Sequence, residues 1–229
     1  LSITEKVLSD LYQAKPLAKV FALGGDHSVS YPLVKSYLEK SKSLNKRVGL
    51  VHFDAHTDLL DTRLGIDLCF GSWTSHVLPF LPDPSCCLQI GLRASAKKKE
   101  HWEKSKGIKQ IWADEIQQNS IEATATQALN YLTALNLDEV YISFDIDALD
   151  SSYASATGTP ESAGLELHQA IYLIDQICHK FSLGGCDLVE VAPNVSHFDK
   201  KSIEPESTLQ SSKLIAEKLM FSLSQTLLE

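Results

Sequence analysis

Two histidines and four aspartates stand in three short motifs. His27 lies in Gly24-Gly25-Asp26-His27-Ser28. Asp54, His56 and Asp58 form Asp54-Ala55-His56-Thr57-Asp58. Asp145 and Asp147 lie in Ser143-Phe144-Asp145-Ile146-Asp147. Imidazoles and carboxylates together are donors for divalent cations. Four aspartates brought together repel, because like charges at short range disfavour ionisation, and bound cations relieve that repulsion. Six oxygen and nitrogen donors without a cysteine exceed the about four ligands of a structural zinc. Two ions roughly 3.5–4 Å apart that share bridging carboxylates match the count. The mixed donor set suits manganese, with nickel, iron or cobalt as alternatives.

Each motif follows an apolar, β-rich run, at residues 19–23, 47–53 and 139–144. Such runs read as buried parallel strands. In an open parallel sheet, chemistry gathers just beyond the carboxyl ends of the strands. Three strands therefore deliver the six groups to one rim. The spacing of two predicts that Asp54 and His56 share one face of an extending strand, as do Asp145 and Asp147, with Asp58 in the loop that follows. Further strands are predicted at 86–92, 109–112 and 186–191, and helices near 28–40, 97–104, 120–135, 166–181 and 205–227. The segment 57–85 reads as a long loop with a partly helical middle. This alternation predicts a mostly parallel sheet with helices on both faces.

A chain of 229 residues, 44% of them hydrophobic, can bury one sizeable core, and a single domain over residues 1–229 is expected. The net charge of −8 offers no basic patch of the kind nucleic acid requires. No apolar run is long enough to span a membrane. Cys69, Cys86, Cys87, Cys178 and Cys186 form an odd set without metal-type spacing. They read as reduced thiols of a cytoplasmic protein. The expected partner is a small molecule rather than nucleic acid or a membrane.

The three motifs, in their order, resemble those of the ureohydrolase family, which includes arginase, agmatinase and formimidoylglutamase. Ala156-Thr157-Gly158-Thr159-Pro160-Glu161 and Asp187-Leu188-Val189-Glu190-Val191-Ala192-Pro193 resemble two further family segments. The resemblance implies a three-layer α/β/α, arginase-like fold and a hydrolase that uses two manganese ions. It places His27, Asp54, Asp58 and Asp145 around one ion and His56, Asp54, Asp145 and Asp147 around the other, with Asp54 and Asp145 bridging. A water acidified by the ions would attack a guanidinium-like carbon. Catalytic roles fall to the ligand Asp58 and to Glu190, whose carboxylate would accept two parallel hydrogen bonds from a planar guanidinium. Thr159 would bind substrate or shape the turn at Gly158. A homo-oligomer, trimer or hexamer, is also implied.

The departures from the family pattern narrow the substrate. Family members carry a further strand–helix unit upstream, so the chain reads as N-terminally incomplete relative to them. Phe70 or Cys69 stands where arginase-like members have a proton-shuttling histidine. Ala94-Ser95-Ala96-Lys97 replaces the acidic residues that hold arginine's amino group, and Leu59 and Leu60 stand where an asparagine is expected. The expected activity is hydrolysis of a guanidino or formimino compound, agmatinase-like or formimidoylglutamase-like rather than strict arginase. The alternatives are a metal-binding, weakly active paralogue with a regulatory or assembly role, and an amide-cleaving relative. Lys97, Lys98 and Lys99 read as a solvated helix face. His52, two residues before Asp54, reads as a packed residue or as one that supports a ligand without being one, so the metals should survive its replacement by alanine.

Overall fold

The computed structural model describes residues 1–194 and 205–225. Six strands form one sheet: β1 (Phe21–Leu23), β2 (Val48–Phe53), β3 (Cys87–Leu92), β4 (Lys109–Trp112), β5 (Glu139–Asp145) and β6 (Ser182–Val189). Their order is β1-β6-β5-β2-β3-β4, and every pairing is parallel. Eight helices are described: α1 (Ser2–Ala14), α2 (Ser30–Ser43), α3 (Trp73–Val77), α4 (Lys99–Lys106), α5 (Ala113–Gln118), α6 (Ile121–Ala134), α7 (Leu167–Lys180) and α8 (Pro205–Gln225). No helix among the described residues is long and apolar enough to cross a membrane.

The alternation of side chains along each strand divides the core into two layers. Val51, Phe53, Ile142 and Phe144 face a cluster that includes Leu132 of α6, Leu173 of α7 and Leu219 of α8. Val48, Leu50 and Tyr141 face the opposite cluster, with Leu8 of α1, Tyr37 of α2, Trp73 of α3 and Trp102 of α4. Helices thus cover both faces, as the sequence pattern predicts, because a parallel sheet buried on both sides needs apolar residues at every position. All residues of β2, β3 and β5 are buried.

Three elements differ from the sequence expectation. Helix α1 is unforeseen; Leu8 and Tyr12 are its buried anchors. Helix α5 is also unforeseen, and Glu115 caps it by accepting from Trp112 N at 3.2 Å. Strand β6 starts four residues before the predicted Cys186 and ends before Glu190. Gly184 and Gly185 look like a turn, yet a Cβ at Gly184 would collide with the Tyr37 hydroxyl, and one at Gly185 would meet the Tyr141 ring at 2.8 Å. Both glycines sit in the strand because aromatic rings pack directly on its backbone. The last two residues of the predicted terminal helix, 226–227, lie outside the described residues.

A candidate metal centre at the carboxyl edge

The six motif residues meet at the carboxyl ends of β1, β2 and β5, but not by sharing strand faces. Strand β2 ends at Phe53, and Asp54 accepts a hydrogen bond from His56 N on Oδ1 at 2.6 Å. Asp145 closes β5, and its Oδ1 accepts from Asp147 N at 2.9 Å. The spacing of two is therefore an aspartate turn, in which the side chain bonds the backbone two residues on. Each turn redirects the chain so that the second residue faces back toward the first. His27 enters from a single 3₁₀ turn, His27–Val29, which Asp26 caps by accepting from Ser28 N.

Two donor sets result. His27 Nδ1 lies 3.2 Å from Asp54 Oδ2, 3.3 Å from Asp58 Oδ2 and 2.9 Å from Asp145 Oδ2. His56 Nδ1 lies 3.4 Å from Asp54 Oδ1 and 3.1 Å from Asp147 Oδ2. Asp54 turns one oxygen to each set. Asp145 Oδ2 lies in the His27 set, and no contact between Asp145 and His56 is seen. All four aspartates and His27 are buried.

The buried nitrogen of His27 tests whether cations fit. Asp187 Oδ1 accepts from the Ser143 hydroxyl at 2.7 Å, so Ser143 Oγ is left to accept from His27 Nε2–H at 3.1 Å. The Nδ1 lone pair then faces three carboxylate oxygens, and Nδ1 has no hydrogen-bond partner of its own. A proton there would point along none of the three oxygens, whereas a cation between them would bind all four atoms. The electrostatics of the cluster point the same way. Burial, then the charges of Asp147 and Asp54, push Asp145 well above the usual carboxylate range. Burial and Asp54 do the same to Asp58. Burial opposes charge on His56, but hydrogen bonds to Asp147 and Asp54 outweigh it and push its pKa up to about 11. Without cations, the cluster draws in protons to balance its charge.

Several supporting residues have no signal in the motifs. Trp73 Nε1 donates to Asp58 Oδ2 at 2.9 Å. The Arg93 guanidinium donates to six carbonyls, among them Asp147 O at 2.8 Å and Glu161 O at 2.9 Å, and so holds the loop after β5. His52 Nε2 touches Asp54 Oδ2 at 2.8 Å, which favours the supporting role over mere packing among the two roles expected from sequence. Burial lowers the basicity of His52, which favours the neutral ring.

Glu190 follows β6 with a left-handed backbone, φ 61°, a conformation a side chain adopts at some cost. Its Oε1 accepts from His27 N at 2.7 Å, and burial raises its pKa. The hydroxyl of Thr159 donates to Asp147 Oδ2 at 3.1 Å, a role that neither sequence reading anticipated. Phe70 lines the cleft, whereas Cys69 does not; the Cys69 thiol rests 3.6 Å from Ser72 Oγ. The cleft encloses about 300 Å³. Lys97 lines its wall, while Lys99 pairs with Glu115 at 2.6 Å.

The arginase family matches residues 2–223 of the chain. The mitochondrial guanidino acid hydrolase of Homo sapiens is 38% identical over 174 residues, covering 75% of this chain and 47% of that protein. The mitochondrial agmatinase of Gallus gallus is 41% identical over 176 residues, covering 75% and 49%. Among solved structures, proclavaminate amidino hydrolase from Streptomyces clavuligerus aligns with a TM-score of 0.79 at 25% identity, over 97% of this chain and 70% of that one. The chain spans about half the length of the curated relatives it matches. A family match that runs through all three donor motifs, on a parallel sheet that gathers them at one rim, places the chain in the arginase family.

Proposed function

We propose that the chain hydrolyses a C–N bond of a linear guanidino compound whose far end carries a carboxylate. One observation carries this reading: the wall of the cleft beyond the donor sets holds Arg63 and Lys97, and among the described lining residues the only carboxylates are metal ligands and Glu190. Arg63 lies over the Phe70 ring at 4.3 Å, which leaves its guanidinium edge for an anion. Leu60 and Trp102 line the stretch between, which suits a short methylene chain. A substrate with a distal ammonium group, such as agmatine, would meet like charge there.

Divalent ions in the two sets, manganese by the donor chemistry, would acidify a water for attack on the guanidinium carbon. The chain's own residues bind and orient the substrate. Glu190 faces its cationic head; Oε1 is already held by His27 N, so Oε2 is the freer acceptor. Burial, which disfavours a bare carboxylate, also strengthens its pairing with a cation. The five free cysteines support a reducing compartment, the cytoplasm on our reading. A homo-oligomer rests on the family resemblance.

Urea and formamide release should be measured on the manganese-loaded chain with 4-guanidinobutyrate, 3-guanidinopropionate, agmatine, arginine and formiminoglutamate. The guanidino acids are expected to be turned over best, and Arg63→Ala should raise their KM without lifting that of agmatine. Agmatine as the best substrate would overturn the assignment of Arg63. Two bound ions with no product from any compound would favour the metal-binding paralogue.

A further inference from the structure

Five polar residues stand side by side across the sheet. Gln110, Gln89, His52, Ser143 and Asp187 are successive cross-strand partners on β4, β3, β2, β5 and β6. All five are buried. A buried polar row costs desolvation unless its groups satisfy one another.

The ends of this row decide how its amides point. Trp112 Nε1 lies 2.9 Å from Gln110 Oε1, and an indole N–H only donates, so the facing atom is the oxygen. Gln110 Nε2 then donates to Gln89 Oε1 at 2.8 Å. Gln89 Nε2 lies 2.6 Å from the Thr57 carbonyl, which only accepts, so that atom is the nitrogen. Its second hydrogen meets His52 Nδ1 at 2.9 Å. His52 must accept at Nδ1, and a neutral ring then carries its proton on Nε2. That proton goes to Asp54 Oδ2 at 2.8 Å.

We propose that Gln89, itself oriented by Gln110, is a positioning residue of the metal centre: it fixes His52 as the Nε2–H tautomer, and His52 in turn holds Asp54 so that each of its oxygens serves one donor set. The opposite tautomer would set a ring lone pair against Asp54 Oδ2 at hydrogen-bond distance and turn the carboxylate away. It would also free His52 Nε2 to act as a third imidazole ligand, since that ring lies within reach of His27, Asp54 and Asp58. Gln89 therefore separates a bridging carboxylate from a competing ligand. The inference rests on the two-ion reading of the site.

The tautomer can be read without any variant. Nitrogen–proton correlation spectra of the zinc-loaded chain, zinc serving as a diamagnetic probe, should show a protonated Nε2 and a bare Nδ1 for His52. Chelator competition with Mn²⁺ should then show Gln89→Met binding about 10–100-fold more weakly, the usual cost of losing a group that orients a ligand. The His52 nitrogen pattern should be lost in the same variant. Gln110→Met should keep the tautomer, because the Thr57 carbonyl still orients Gln89, and should weaken binding less. A protonated Nδ1 in the parent chain would overturn the proposal, as would Gln89→Met binding Mn²⁺ as tightly as the parent. If Gln89→Met does not fold, the parent spectrum decides alone. A parent chain that binds no divalent ion would instead defeat the metal-centre reading, and the spectrum of that chain would still report the tautomer.

Discussion

Arg93→Lys keeps a positive charge and removes a geometry. The guanidinium donates Nε to Ser162 O, Nη1 to Gly91 O and Ala148 O, and Nη2 to Asp147 O, Leu149 O and Glu161 O, at 2.8–3.3 Å. The guanidinium has five N–H donors and a lysine ammonium three, so at least two of these hydrogen bonds are lost, although Ala148 O and Glu161 O also accept from Leu165 N and Ser151 N. One hydrogen bond to a charged group contributes about 1.5–3 kcal/mol. Losses within one network do not add in full, so the two or more bonds lost should together cost about 3–5 kcal/mol. In a chain of this size each kcal/mol moves Tm by about 2–4 °C, so the expected fall is about 6–20 °C. The loop that Arg93 holds carries Asp147, so the His56–Asp147 set should lose its ion first. Thermal unfolding by circular dichroism, with metal content by mass spectrometry, reads both effects. A variant that melts within about 2 °C of the parent and keeps two ions would refute the bracing role.

Glu190→Gln should retain both ions, because the amide oxygen can still accept from His27 N, while kcat/KM falls about 10–150-fold, the equivalent of one charge-assisted hydrogen bond; unchanged turnover would remove Glu190 from substrate binding. The pKa of His56 predicts a pH signature in the metal-free chain. It rises from 6.5 unfolded to about 11 folded, so the stability it contributes is full below the unfolded value and is lost as pH climbs through the folded one. Ion binding follows the reverse sense, since His56 must release its proton to ligate. Calorimetric titration with Mn²⁺ should show tighter binding and proton release as pH rises across that window, and a pH-independent affinity would refute the coupling.

The strands were legible because buried parallel strands need apolar residues on both faces, and residues 47–53 and 139–144 supply them. The donor cluster was legible because nothing in such a sheet calls for Asp54, Asp145 or His56 except chemistry. The local geometry was not: a spacing of two fits both a strand face and an aspartate turn, and what separates them is that each aspartate side chain accepts from the backbone N–H two residues on. Trp73, Arg93 and Gln89 were missed because each looks ordinary for its element. Their roles come from partners distant in sequence, such as Arg93 with Asp147 across 54 residues. Ser143 and His52 did leave a trace. Each is a polar residue two positions before a donor aspartate, in a run that is otherwise apolar.

The centre is assembled almost wholly from distant parts of the chain. Glu190 meets His27 across 163 residues, and Asp147 meets Ala55 across 92. Such contacts form late in folding, since the entropy of closing long loops must be met before the contacts reward it. During synthesis, a nascent chain that has not yet produced Glu190 offers a cation only scattered carboxylates and two loose imidazoles. Ions bound there would act as a lock on a completed topology rather than as a seed for it. A chain that holds two ions tightly would, by that fact, have brought the ends of β1, β2 and β5 together.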